Sequence, residues 1–197
     1  DIGLNFSSAL RSILRQDPDV LLIGEIRDQE TADIAVKFSL TGHLVFSTVH
    51  ANDAPSTIAR LLDLGIPPFL LGSCLNLVMA QRLVRTIDKD SNETYKPTDD
   101  ELNRLSFPKD KRNGAFFKGV PNQGNHNTGY KGRTAIHEIL EVNSAMKQLI
   151  FEDANQNQIK EAAKKAGMTT LREAGIEKII NGKTDINEVL RATVEDI

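Results

Sequence analysis

At 197 residues, with 40% hydrophobic and 26% charged side chains, the chain can bury a core and has the composition of an ordinary globular protein. Its formal net charge of −3 gives no electrostatic reason to expect nucleic acid or an anionic membrane as the main partner. The single cysteine, Cys74, excludes an internal disulfide and a zinc site built from several cysteines. The sequence lacks an apolar run of about 18 residues and a signal-peptide pattern, and it begins without Met, which predicts a segment of a longer cytoplasmic protein.

Helices and strands alternate from the start of the chain. Residues 5–14 have the apolar spacing of one helical face, and the apolar run that follows predicts a buried strand over 19–26. Asp28 is a natural N-cap for a second helix that ends at Gly42. The run LVFSTV at 44–49 then predicts a second short buried strand.

Two further helices and a strand complete the first region. The first helix begins after Asp53 and ends at Gly65. The second is predicted over 69–81, with Cys74 buried in it, and RLVRTI at 82–87 predicts a strand. This order of elements is typical of an α/β fold with a mostly parallel sheet.

The character of the sequence changes after residue 87. Residues 88–130 are polar and rich in Asn, Asp, Lys, Gly and Pro, with one helix predicted over 98–105, so they are interpreted as an insert. A strand and short helices return over 131–197 and predict a C-terminal helical subdomain. The predicted organisation is therefore a core over 1–87, the insert, and this C-terminal part.

Polar side chains follow the first two strands. Glu25 comes after the first strand, and the second delivers Thr48 and His50. Ligands of parallel sheets sit beyond the carboxyl ends of the strands, so these side chains are expected at one rim. There a carboxylate can hold Mg²⁺ through water or orient an attacking water, and a hydroxyl or imidazole can detect a terminal phosphate.

Each candidate also has a plain structural explanation. Glu25 could cap the following helix, and His50 could simply bond to backbone. Arg27 could pair with Glu25 or reach a phosphate, with a surface ion pair as the default. Arg82 is predicted to share a strand face with Arg85 and could approach a nucleotide, although strand arginines commonly face solvent.

The phosphate-binding signature G-x-x-x-x-G-K-[ST] does not occur in this sequence. The backbone cradle and the lysine that hold the β- and γ-phosphates are therefore not supplied by these residues. On this ground the chain alone is not expected to hold ATP tightly.

The motifs LRQDPD, GEIRD, TGH and STVHAND, followed by AQRLVRTI and GYKGRTAIHEIL, resemble the secretion-superfamily ATPases of type IV pilus assembly and type II secretion. The resemblance covers nearly the whole chain and implies part of a RecA-like ATPase core that uses ATP and Mg²⁺. It makes GEIRD an atypical Walker B segment, with Glu25 acting on the water shell of Mg²⁺, and makes His50 a γ-phosphate sensor. Arg27, Thr48 and Arg82 are the expected nucleotide contacts. In this family the Walker A loop lies upstream, so the chain is expected to be the C-terminal part of such a motor.

The resemblance also implies partners and a location. Family members form six-subunit rings in the cytoplasm, peripheral to the inner membrane, and act on an inner-membrane platform protein.

Assembly and secretion members carry a four-cysteine zinc insert that retraction members lack. The insert is retained here, which favours assembly or secretion. Its cysteine positions are occupied by Asp88, Ser91, Asn122 and Asn125, so zinc is expected to be absent, and the insert is expected either to be mobile or to be held by packing of Leu105, Phe107, Phe116 and Phe117.

The leading functional hypothesis is therefore the C-terminal part of a hexameric ATPase that powers pilus assembly or type II secretion. The alternative is a binding or assembly module of such a machine, without catalysis in this chain alone, which the missing phosphate loop favours. A DNA-translocating motor is a third reading, and the absence of a basic stripe counts against it.

Overall fold

The structure is a computed structural model that describes Ala9, Ser12, Ile13, Gln16 and residues 18–193. The helix predicted over 5–14 falls largely outside these residues. Contacts divide the chain into two units: the first runs to Val78 and resumes over Leu140–Gly167, and the second comprises Met79–Ile139 and the residues from Met168 onward. The boundaries expected at residues 88 and 131 rest on composition and stay a prediction.

Helices and strands alternate at the start of the described residues, and four helices follow one another at their end. In order they are β1 (Val20–Ile23), α1 (Gln29–Leu40), β2 (Leu44–Ser47), α2 (Ala54–Asp63), α3 (Pro68–Cys74), β3 (Leu77–Ile87), β4 (Asn92–Tyr95), α4 (Asp99–Arg104), β5 (Phe116–Gly119), β6 (Tyr130–Glu141), α5 (Ser144–Phe151), α6 (Gln156–Lys165), α7 (Leu171–Ile180) and α8 (Ile186–Ala192). Among these described helices, none has the length and apolar character needed to cross a bilayer.

β1 and β2 pair in parallel and are joined by α1. Their register sets Val20 opposite Leu44 and Ile23 opposite Ser47. α1 begins at its predicted cap, because the Asp28 carboxylate accepts a hydrogen bond from the Thr31 N–H at 2.8 Å. The inward faces of β1 and α1 form one apolar cluster, which contains Leu21, Ile23, Ile34, Ala35 and Phe38.

The prediction that β2 is buried is wrong. Leu44 and Phe46 are 49% and 53% exposed, and Leu22 of β1 is 74% exposed. Side chains alternate between the two faces of a strand, and α1 covers one face, against which Val45 packs. A continuous apolar run predicts burial on both faces, but among the described residues only one face of this strand pair is covered.

The helix predicted over 69–81 is also wrong in its second half. α3 ends at Cys74, whose side chain is only partly buried, and Leu75 is already extended. β3 then begins at Leu77, five residues before the predicted strand, and runs to Ile87. Closely spaced apolar residues fit a helix and a strand equally well over such a length, and pairing of β3 with β6 decides for the strand.

The remaining helices of the first unit complete its packing. α2 packs against α6, and α3 packs against α5. The close approach of α3 and α5 depends on Gly72, because a Cβ atom there would lie 2.5 Å from the Phe151 ring.

In the second unit, residues 88–130, which the sequence interpretation treats as an insert, contribute to a buried core. β4 and β5 form an antiparallel pair that the sequence did not predict. One buried cluster joins the insert to α7 and α8, and its members are Leu102, Leu105, Phe107, Phe116, Ile176, Ile179, Ile186 and Val189. Three of the four predicted packing residues belong to it. The fourth, Phe117, is partly buried beside Gly182.

A hydrogen-bond network centred on a buried asparagine, here called the polar clamp, joins residues 88–91 to residues 120–129. Asn125 is 1% exposed, and its amide nitrogen donates to Asp88 Oδ2 at 3.1 Å and to the Val120 carbonyl at 2.9 Å. Its amide oxygen accepts from the N–H groups of Asn122 and Gly129. Ser91 donates its hydroxyl to the same Val120 carbonyl. The four positions at which the resemblance places cysteines therefore form one polar network, and the expected absence of zinc stays a prediction.

Candidate functional site

Glu25 and His50 are brought together by the parallel pairing of β1 and β2. The pairing continues past the strand ends, where the Ile26 N–H donates to the Thr48 carbonyl at 2.9 Å. Glu25 therefore leaves the first strand beside the residues that follow the second. Its Oε1 atom lies 2.8 Å from Nε2 of His50.

The Glu25 carboxylate also pairs with Arg27. The guanidinium Nε donates to Oε2 at 2.6 Å. The carboxylate is only 20% exposed, whereas the side chains of Arg27 and His50 are 76% and 90% exposed. The site is thus a shielded acid with two cation-forming groups that can reach solvent.

One oxygen of this acid has no hydrogen bond from the described residues. Oε1 of Glu25 is shielded from solvent, and the contact from His50 has ion-pair distance but not hydrogen-bond geometry. A shielded carboxylate oxygen without a donor is costly unless something else satisfies it. Oε1 can therefore accept from a further donor or a cation.

The charges around Glu25 keep it ionised. The hydrogen bond from Arg27 lowers the pKa of Glu25 against the opposing effect of partial burial, and the charges of Arg27 and His50 act in the same direction as the bond. The same pairing raises the pKa of Arg27. A carboxylate of lowered pKa is a poor proton acceptor at neutral pH, and it is better suited to orienting cations and water.

The helix-cap explanation for Glu25 is wrong. The cap of α1 is Asp28, and its hydrogen bonds to the Thr31 backbone and side chain lower the pKa of Asp28. Glu25 lies three residues earlier and is held by side chains instead.

Thr48 lies next to Glu25, but its side chain bonds to a backbone carbonyl. Its side chain is exposed, and its Oγ1 donates to the Gly24 carbonyl at 2.6 Å. The sequence suggested this hydroxyl as a nucleotide contact, and the structure gives it a backbone acceptor.

Arg82 belongs to the second unit, on β3, where it is half-buried and engaged with another group. The expectation that it shares a strand face with Arg85 is wrong, because residues three apart on a strand point to opposite faces. Arg85 instead donates to Glu188 at 2.7 Å and lies 4.0 Å from the centre of the Tyr130 ring.

Sequence reasoning missed the cluster around Glu188. This carboxylate is 2% exposed and accepts from Arg85 and from Arg191. Burial raises the pKa of Glu188, but the hydrogen bonds from Arg191 and Arg85 outweigh it and bring the pKa to about 2. Only the spacing of Glu188 and Arg191, three apart on a helix, was readable from sequence.

A sequence profile of the family described as "Type II/IV secretion system protein" matches residues 1–191. The chain is 45% identical over 199 residues to the type IV pilus assembly ATPase PilB of Myxococcus xanthus, a match that covers 100% of this chain and 35% of that protein. It is 45% identical over 194 residues to the type II secretion system ATPase E of Vibrio cholerae, covering 98% of this chain and 38% of that protein. The chain thus spans little more than a third of these relatives.

Solved structures show a similar fold. The pilus retraction motor PilT with bound ADP matches with a TM-score of 0.68 and 26% identity, covering 98% of this chain and 44% of that one. The ATPase DotB of Legionella pneumophila matches with a TM-score of 0.62 and 21% identity, covering 94% and 41%. An α/β ATPase fold therefore fits the chain.

Proposed function

This chain belongs to the type II/IV secretion system protein family, and from that premise we propose that it is the C-terminal part of an ATPase that powers type IV pilus assembly or type II secretion. The relatives named for these activities extend well beyond the segment that the chain matches. The activity is accordingly proposed for a full-length polypeptide that contains this chain.

The observation that carries the proposal is the meeting of Glu25 and His50 at the ends of two parallel strands, 2.8 Å apart. A terminal phosphate placed at this rim would meet an ionised acid, an imidazole and the guanidinium of Arg27. Phosphoryl transfer to water depends mostly on positioning and on charge stabilisation, and these groups supply both.

The donor set fits Mg²⁺ together with a nucleotide. Mg²⁺ usually keeps several waters and is held by one or two carboxylates plus substrate phosphates. Glu25 offers one ionised carboxylate, with Oε1 free of hydrogen bonds from the described residues. We assign Glu25 to the water shell of the ion, where bound Mg²⁺ would neutralise phosphate charge.

The two cation-forming residues of the site, His50 and Arg27, are both mostly exposed. His50 is 90% exposed and can turn towards a γ-phosphate as a sensor. Arg27 is 76% exposed and can exchange its carboxylate partner for a phosphate oxygen. Thr48 and Arg82 were also predicted to contact nucleotide, and both contacts stay predictions.

The assembly is proposed on the resemblance and on the names of the relatives. It is a RecA-like core in a ring of six subunits, located in the cytoplasm at the inner membrane, where it acts on a platform protein. No nucleic acid partner is proposed, because the net charge is −3.

A non-catalytic binding or assembly module remains the second candidate for this chain alone. The absence of G-x-x-x-x-G-K-[ST] from its sequence favours it. A phosphate-release assay on this polypeptide and on the full-length protein, side by side, separates the two. Activity in the full-length protein alone assigns catalysis to the whole and the module role to the segment.

The test of the proposed site is Glu25→Gln in the full-length protein. We expect turnover of ATP to fall at least about 100-fold with nucleotide still bound, because the amide keeps the shape and loses the charge. Glu93→Gln is the control, since Glu93 is also an ion-paired glutamate, 3.0 Å from Lys118, but is exposed where Glu25 is shielded. Near-normal turnover in Glu25→Gln rejects the assignment.

A further inference from the structure

Thr48 bonds to the backbone on both sides of Glu25. Its hydroxyl donates to the carbonyl of Gly24 at 2.6 Å, and its carbonyl accepts from the N–H of Ile26 at 2.9 Å. The residue before the acid and the residue after it are therefore tied to a single residue of the neighbouring strand end.

The side-chain bond of Thr48 matters because Gly24, the residue between the end of β1 and Glu25, has no side chain of its own to anchor it. Glycine has wide conformational freedom, and a Cβ atom at this position would meet nothing within 4 Å. Packing against Gly24 therefore does not limit rotation of the peptide that leads into Glu25. The Thr48 hydroxyl supplies that constraint through the Gly24 carbonyl.

We propose that Thr48 is a positioning residue that fixes the backbone of Glu25 so that its carboxylate can orient water at the phosphate site, and that its hydroxyl does not bind nucleotide. The inference rests on the proposed function, since it assigns Thr48 to the same phosphate site. The hydroxyl has one hydrogen to donate, and in this structure the Gly24 carbonyl receives it.

If Thr48 has this role, loss of its hydroxyl should slow ATP turnover without weakening nucleotide binding. Misplacing a catalytic group by about 1 Å costs up to about 100-fold in rate. Tight nucleotide binding depends instead on the backbone cradle and the lysine of the phosphate loop, which Thr48 does not hold. If the hydroxyl instead contacted phosphate in both ground and transition states, its loss would weaken binding.

The experiment compares Thr48→Val, Thr48→Ser and Glu25→Gln in the full-length protein. Thr41→Val is the matched control, because the Thr41 hydroxyl also donates to a backbone carbonyl, that of Phe38, at 2.8 Å. For each variant we measure kcat for ATP, the Kd for ADP, the Tm, and hydrogen exchange of the Ile26 amide.

Thr48→Val is expected to lower kcat at least about tenfold, to leave the Kd for ADP within about twofold, and to speed exchange of the Ile26 amide. Thr48→Ser keeps the hydroxyl and is expected to retain turnover. Thr41→Val is expected to leave kcat unchanged. In a Glu25→Gln background, Thr48→Val should cause no further loss of turnover, because a displaced amide catalyses no worse than a well-placed one.

Three results overturn the positioning role. One is a raised Kd with unchanged kcat in Thr48→Val, which would mean that the hydroxyl contacts nucleotide. Another is an equal loss of kcat in Thr48→Ser. The third is intact turnover in Thr48→Val while Glu25→Gln is inactive, which leaves the proposed function standing; if Glu25→Gln is itself active, the proposed function fails instead.

Discussion

Each unit contains a carboxylate that is ion-paired with arginine, but the two carboxylates differ in exposure and in how completely their oxygens are hydrogen-bonded. Glu188 is 2% exposed, and both its oxygens accept from Arg85 and Arg191. Glu25 is 20% exposed, and one of its oxygens lacks a hydrogen bond from the described residues. A fully bonded acid has no capacity left for a ligand, whereas an incompletely bonded one does.

The partners of the two acids also differ in how firmly they are held in place. Arg27 and His50 are mostly exposed and can move away from Glu25. Arg85 stacks on Tyr130 and bonds to Glu188 through both its backbone and its side chain, which fixes its position. The comparison therefore predicts that substitutions at Glu188 act on folding, and that substitutions at Glu25 act on turnover.

The largest effect on stability is expected from Glu188→Gln. The change removes the charge that two arginines share inside the second unit, and we expect the free energy of unfolding to fall by about 2–4 kcal/mol, below the full cost of breaking a buried pair because both arginines are partly exposed. Denaturant unfolding measures it. Glu25→Gln, the same chemical change, should leave the unfolding midpoint almost unaltered.

The dependence of the free energy of unfolding on pH, at acid pH, gives a second test of the role of Glu188. The pKa of Glu188 is about 2 in the folded chain, below its ordinary unfolded value near 4.3. Its contribution to stability is therefore present above the unfolded pKa, and it is lost as the pH falls through about 4 towards 2. Glu188→Gln should flatten the profile in this window. A profile as steep as that of the unsubstituted protein would contradict the role of Glu188.

A smaller loss is expected from Asn125→Ala, which opens the polar clamp. The substitution removes the amide that bonds to Asp88 and to three backbone groups. The Val120 carbonyl keeps its bond from Ser91 and Asn122 is exposed, so the cost of about 1–3 kcal/mol is expected from the buried Asp88 Oδ2 and the buried Gly129 N–H, which lose their partner. Thermal unfolding measures the loss. Asn113→Ala, at an exposed position of the same insert, should change stability by less than about 0.5 kcal/mol. Equal effects of the two variants would show that the network contributes little.

The sequence predicted the features that depend on local pattern. Asp28 and Asp53 cap helices where the sequence places them, because a cap and its helix lie within three residues of each other. The meeting of Glu25 and His50 was also predictable, since consecutive parallel strands joined by a helix bring their carboxyl ends together.

Features that depend on distant partners were not predicted. Asn125 and Asp88 are 37 residues apart, and Arg85 and Glu188 are 103 apart, so neither pair leaves a periodic signal. The start of β3 was misplaced because the closely spaced apolar residues around Cys74 fit two periods. The bond from the Thr48 hydroxyl to the Gly24 carbonyl, 24 residues away, was also not visible in the sequence, and the predicted nucleotide contact of Thr48 stays a prediction.

The most direct test of the central claim is a structure of the full-length protein with Mg²⁺ and a non-hydrolysable ATP analogue. We expect the Glu25 carboxylate and the His50 imidazole to flank the γ-phosphate, each about 3 Å from a phosphate oxygen or joined to it through one water. A γ-phosphate bound out of reach of both side chains, with Glu25 and His50 still paired to each other, would contradict their assignment to the phosphate site.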